Sequence, residues 1–209
     1  MKTFSATRQG TYIQVTIKED KKSDTCFHCR DIRGALVWPS AHAPGYYCIF
    51  SQKEDVNPEG RSPLVLLTET EEKLPQNLFQ RLAKDARRYA CGQWYIDFAQ
   101  KNQEFVQLFY NFCQFQRVPK IKLIKAPLAE NFSLGVALVK EWSNALEIPQ
   151  GTILRNQLKD MEMSDVDDKP EEKFYAVNAL RFIIADLPWQ APSVFQGQQS
   201  PRADPKGWA

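Results

Sequence analysis

The chain has 209 residues, 43% of them apolar and 12% aromatic, which suits one domain with elaborations or at most two small ones. A net charge of +2 excludes a molecule that is basic all over, so any nucleic-acid surface has to be local. There is no apolar run long enough to span a membrane, and the opening "MKTFSATRQG" lacks a signal-like apolar region. Neither a membrane association nor secretion is expected, and a cytoplasmic location is the default.

Taken in chain order, "TYIQVTI" (11–17) alternates, with Ile13, Val15 and Ile17 opposing Tyr12, Gln14 and Thr16 as in a half-buried strand. The polar run 18–25 reads as a loop. "CFHC" (26–29) is the one cysteine pair with metal-like spacing, with His28 inside it. A zinc site needs four ligands, and no second pair follows, so no zinc is predicted and the segment reads as a turn or strand. Cys48, Cys91 and Cys113 sit in apolar or helical contexts and read as small buried hydrophobes. "GALVWP" is a short strand stopped by Pro39; "YYCIFSQ" (46–52) and "LVLLTE" (64–69) are further strands separated by Pro- and Gly-punctuated loops. The first third is thus an antiparallel meander.

The period then changes. From Pro75, the residues Leu78, Phe79, Leu82, Ala86 and Tyr89 recur at helical spacing, and Gly92 is the expected stop. "QWYID" (93–97) is a strand, "NQEFVQLFYNFCQFQ" (102–116) a helix, and "KIKLIKAP" (120–127) a second strand of this alternating region. Helices are expected over 134–146, from Pro149, and over 170–187, where Glu171 and Glu172 in the first turn and Arg181 nearer the end suit the helix dipole. The Pro- and Gln-rich stretch 188–209 reads as an extended arm whose Trp189, Phe195 and Trp208 would dock on this chain or on a protein partner. The expected organisation is a mixed α/β sheet domain over 1–130, a helical C-terminal subdomain over 131–187, and the arm.

An antiparallel meander followed by alternating helices and strands implies a mixed sheet with flanking helices. Carried by "GYYCIFSQ", "PLVLLTE", "LFQRLAKDARRYACGQWYID" and "KIKLIKAP", this succession resembles the RNase H-like fold, and in particular the nuclease domain of phage terminase large subunits. The resemblance implies three antiparallel strands, a helix, a parallel strand, a second helix and another parallel strand. It implies also a nucleic-acid-associated protein of phage or mobile-element type, with DNA as partner and Mg²⁺ or Mn²⁺ as the ion if the chain is catalytic. Asp97 matches the position where an acid ends the strand after the first helix, and Glu69 is the accompanying metal ligand, with Glu71 as a further catalytic acid. The family also places an aspartate on the first strand, and neither "ALVWP" nor "YYCIF" has one. Asp186 is a candidate late acid. Read from the residues alone, Asp97 is equally a strand-end aspartate that caps the next helix.

Two basic features could meet phosphates. Arg81, Lys84 and Arg88 share one face of the first helix, and Lys120 and Lys122 stud the "KIKLIKAP" strand. Against that reading, the helix residues are also its solvated face, and lysines protect edge strands. No P-loop, dinucleotide fingerprint or nucleophile elbow occurs. Two function classes follow: a metal-dependent nuclease, and a non-catalytic binding or assembly module on a degenerate version of the fold.

Overall fold

The computed structural model describes residues 2–9, 12–19, 25–99, 102–116, 121–163 and 170–187. Lys120, most of the expected loop at 18–25 and the arm at 188–209 lie outside them. The sheet is built around β3 (Thr25–Val37), a strand of 13 residues. On one side β3 pairs antiparallel with β4 (Gly45–Lys53), which pairs antiparallel with β5 (Leu64–Glu72). On its other side two partners succeed one another. The Thr25–Cys29 half pairs antiparallel with β2 (Tyr12–Glu19), itself in a hairpin with β1 (Lys2–Gln9), and Arg33–Leu36 pairs parallel with β6 (Gln93–Ile96). β7 (Lys122–Lys125) pairs parallel with β6, and the two-residue β8 (Leu146–Glu147) pairs parallel with β5. The core order β5-β4-β3-β6-β7, with only β4 reversed, is the mixed sheet that the resemblance implies, and the fold is RNase H-like in plan.

Each face of the sheet has its own apolar core. One face is covered by α1 (Pro75–Arg88) and α2 (Gln103–Phe115), with Leu78, Phe79, Leu82 and Phe109 packed against Leu36, Tyr47, Ile49 and Trp94. The Trp94 indole lies so close over Gly34, its register neighbour, that a Cβ there would meet the ring at 2.5 Å. The other face carries Tyr46, Phe50, Leu64, Leu66 and Tyr95 and is covered by α6 (Tyr175–Ile184), with α3 (Phe132–Glu141) and α4 (Ile153–Met163) around it. All of Ala176–Ile184 is buried, including the polar Asn178 and the charged Arg181. The boundary expected at 130 therefore falls between layers that share one core, and β8 from the later part joins the sheet.

Several local expectations are corrected. "GALVWP" is only the last third of a strand that begins before "CFHC", because pairing with β2 and β4 extends it through a polar stretch. Helix α1 stops not at Gly92 but at Ala90, which takes the left-handed conformation (φ 53°). Cys91 N–H donates to the Ala86 carbonyl at 2.9 Å and Ala90 N–H to that of Arg87 at 3.3 Å, a Schellman closure. The helix expected over 134–146 ends at Glu141, giving way to a 3₁₀ turn at Ser143–Ala145 and then β8. The next begins at Ile153 rather than Pro149, and the last is broken at Phe174 into α5 (Pro170–Lys173) and α6.

Candidate functional site

The C-terminal ends of the parallel strands β3 and β6 open onto a cleft of about 670 Å³, at the edge where open α/β sheets bind ligands. Asp97 stands there, one residue beyond β6. Beside it, at the end of β3, is Trp38, whose indole N–H donates to the Asp97 carbonyl at 3.2 Å and whose ring stacks on Phe105 at 5.9 Å. From α6 the cleft receives Asn178 and Arg181; Glu130 and Glu171 come from the segments on either side.

The Asp97 carboxylate is engaged locally. One oxygen accepts from Ala99 N–H at 2.8 Å and the other from the Asn102 side-chain amide at 3.1 Å. It thus closes the turn between β6 and α2, and α2 itself begins without a side-chain cap, so the expected cap acts one turn early.

Arg181 is the main charge of this edge, and it is 1% exposed. Its guanidinium donates to the carbonyls of Leu128 (2.6 Å), Ala129 (2.8 Å) and Asn131 (3.2 Å) and, through Nε, to Asn178 Oδ1 (2.6 Å). Burial pulls it down to about 10, while the negative charges of Glu171 and Asp97 act in the opposite sense. Gly135 on α3 leaves room for it, since a Cβ there would meet Arg181 Cδ at 2.7 Å. Arg181 does fall in the last turn of α6, as the dipole reading expects, and it also anchors the loop after β7, in which Leu128 is left-handed (φ 55°), to α6. A charged residue inside the apolar run "NALRFII" was the signal for this.

The structure does not bring the predicted acids together. Glu69 shares a register row with Cys48, Ala35 and Tyr95, which puts it three strand spacings from β6, about 14 Å. Its carboxylate accepts from Tyr46 Oη (2.7 Å) and from the first N–H groups of α4, Ile153 (2.5 Å) and Leu154 (3.1 Å). It caps a helix N-terminus, where a negative charge is favoured. Glu71 accepts from Tyr175 Oη at 2.5 Å. Asp186 lies at the far end of α6, bonded to Tyr95 Oη and at 2.8 Å to Arg33, which also holds Asp31 at 2.8 Å. Burial and the adjacent Asp186 push the Tyr95 hydroxyl upward. The first strand does hold an acid, Asp31, but it is six positions before Val37 and away from the cleft. Among the described residues no three His, Cys, Asp or Glu side chains are arranged to hold a metal ion.

The basic residues also separate. Arg81 pairs with Glu72 at 2.8 Å. Lys84, Arg87 and Arg88 line a groove of about 550 Å³ between α1 and α2, with Phe112 and Gln116 opposite and no carboxylate among its lining residues. Arg87 donates to the Gln116 carbonyl at 3.4 Å, and Arg88 lies over the Tyr89 ring. Lys122 is exposed on β7. Among the described residues no helix is long and apolar enough to cross a membrane.

No family model and no curated protein matches this chain. Among solved structures it is similar to the large terminase nuclease from thermophilic phage G20c with bound zinc, at 10% identity over 88% of this chain and 92% of that one, with a TM-score of 0.47. It is also similar to the Fowlpox virus resolvase in complex with substrate Holliday junction DNA, at 12% identity over 73% of this chain and 91% of that one, with a TM-score of 0.30.

Proposed function

We propose that this chain is a non-catalytic binding module on an RNase H-like sheet, one that associates with DNA without cutting it. The observation that carries the non-catalytic half is what surrounds Asp97. Two-metal hydrolysis needs carboxylates converging on ions about 4 Å apart. Here the neighbouring strand end offers Trp38, the facing helix offers Asn178 and a buried arginine, the acids that share the cleft (Glu130, Glu171 and Glu172) come from outside the sheet, and Glu69 caps a helix three strands away. The positive charge that balances Asp97 and Glu171 belongs to Arg181. The DNA half is supported by the groove of Lys84, Arg87 and Arg88, a cluster of the kind that neutralises phosphates.

The test pairs two measurements on the purified protein. With supercoiled plasmid and Mg²⁺ or Mn²⁺, no divalent-dependent nicking is expected. With a labelled duplex at low salt, binding is expected that weakens steeply as salt rises and drops about ten-fold or more in the triple variant K84A/R87A/R88A. Nicking that needs the metal and vanishes in Asp97→Asn would overturn the non-catalytic reading. Absence of salt-dependent binding would remove DNA and leave a protein assembly partner as the reading.

A further inference from the structure

On the outer side of the second layer, α3, β8 and α4 enclose a smaller cavity of about 210 Å³. It is lined both by apolar residues, Val139, Leu146 and Leu158, and by cationic ones, Lys140, Arg155 and Lys159. Among the described residues no carboxylate lines it. Among the described residues none of the three cations has a hydrogen-bond or ion-pair partner for its side chain, and Arg155 Nε is buried without one. That is an unusual state for a guanidinium nitrogen, because a buried donor left unmade loses its hydration with nothing in return. Arg155 also lies in the first turn of α4, the end of the helix dipole that repels a cation. Lys140 and Lys159 are exposed and hydrated at the rim, so the unmet demand at this recess is that of the buried Arg155 Nε.

We propose that this cavity is a binding site for a small organic anion, a carboxylate or phosphate monoester carried on a compact apolar body. The anion would accept from Arg155 and lie between Lys140 and Lys159, and the body would fill the recess against Leu146 and Leu158. The space suits this class: an apolar cavity of about 150 Å³ holds benzene, so the present one has room for a ring and a charged group. Charged acceptors on a planar guanidinium are the strongest of its bonds, which makes Arg155 the determinant and the two lysines steering charges. The site lies apart from the Asp97 cleft and from the α1–α2 groove, so it stands whether or not DNA is bound.

The experiment uses the full chain with phenyl phosphate and benzoate as probes, and with inorganic phosphate and benzyl alcohol as the anion-only and ring-only controls. Calorimetric titration is expected to give saturable one-to-one binding of at least one aromatic anion, with Kd on the order of 1 mM or tighter, and to show which head group is preferred. Both controls should bind at least about ten-fold more weakly. Arg155→Met, which keeps the length and apolar stem, should weaken the anion about ten-fold or more while the protein still melts cooperatively. If that variant does not fold, Arg155→Lys, which keeps the charge but not the planar fork, serves in its place and should weaken the anion several-fold. No saturable binding of either aromatic anion, inorganic phosphate binding as tightly as phenyl phosphate, or unchanged affinity in a folded variant would each overturn the proposal.

Discussion

Asp97 has the position of a ligand-binding acid and the contacts of a turn residue, and the two can be separated by substitution. Asparagine keeps the oxygen that accepts from Ala99 N–H, so Asp97→Asn is expected to shift the urea midpoint of unfolding very little. Asp97→Ala loses that bond and the one from Asn102 and should cost about 1–2 kcal/mol. Arg181 is the more demanding residue. Arg181→Met strands the carbonyls of Leu128, Ala129 and Asn131 and should cost about 3 kcal/mol or more by denaturant unfolding. Gly135→Ala presses on the same side chain and should cost about 1–3 kcal/mol, with a smaller increment when Arg181 is already methionine, because that side chain is no longer tethered by hydrogen bonds and can shift aside.

Among the elements, α1 offers a gain rather than a loss. Its stop is an alanine in the left-handed region, so Ala90→Gly should raise stability by about 1 kcal/mol, visible as a higher melting temperature. Glu69→Gln keeps an acceptor for α4 but removes the charge that its N-terminus favours, and should lower stability by about 1 kcal/mol. The elements with clear periods were legible in the sequence: β4, β5, β6, β7 and α1 stand where alternation or helical spacing puts them, with β6 and β7 parallel as expected from the helix between them. β1 was not legible. "KTFSATRQ" has too few apolar residues to announce a strand, and pairing with β2 along its whole length makes it one. The use of Glu69 was hidden for a similar reason. Its contacts with Ile153 and Leu154 cross more than eighty positions of chain, and an acid after a buried strand reads the same whether it holds an ion or a helix end.

For the molecule as a whole, the buried thiols and phenols set the response to alkali. Burial raises Cys29 to about 11 and also pushes Cys48, Cys91, Tyr46 and Tyr47 well above their ordinary 9.0 and 10.0. Groups held neutral in the fold stabilise it fully below their unfolded values, and that stability is lost as pH rises past them. Arg181, shifted downward, works in the opposite direction at higher pH, one group against several. Stability should therefore fall from pH 9 upward. At pH 10 Cys29 alone accounts for about 1 kcal/mol, and the more deeply buried thiols add to it, measurable as a declining denaturant midpoint.

The α6 helix, buried from Ala176 to Ile184, also has a bearing on biosynthesis. The strands it covers are finished by Ile96, but the helix does not exist until Ile184 has been added. At ribosomal speed that interval is on the order of 10 s. Throughout it, Tyr46, Phe50, Leu64 and Leu66 face outward on a nascent chain, a ready substrate for chaperones, and translation halted before α6 should yield product that partitions into the insoluble fraction.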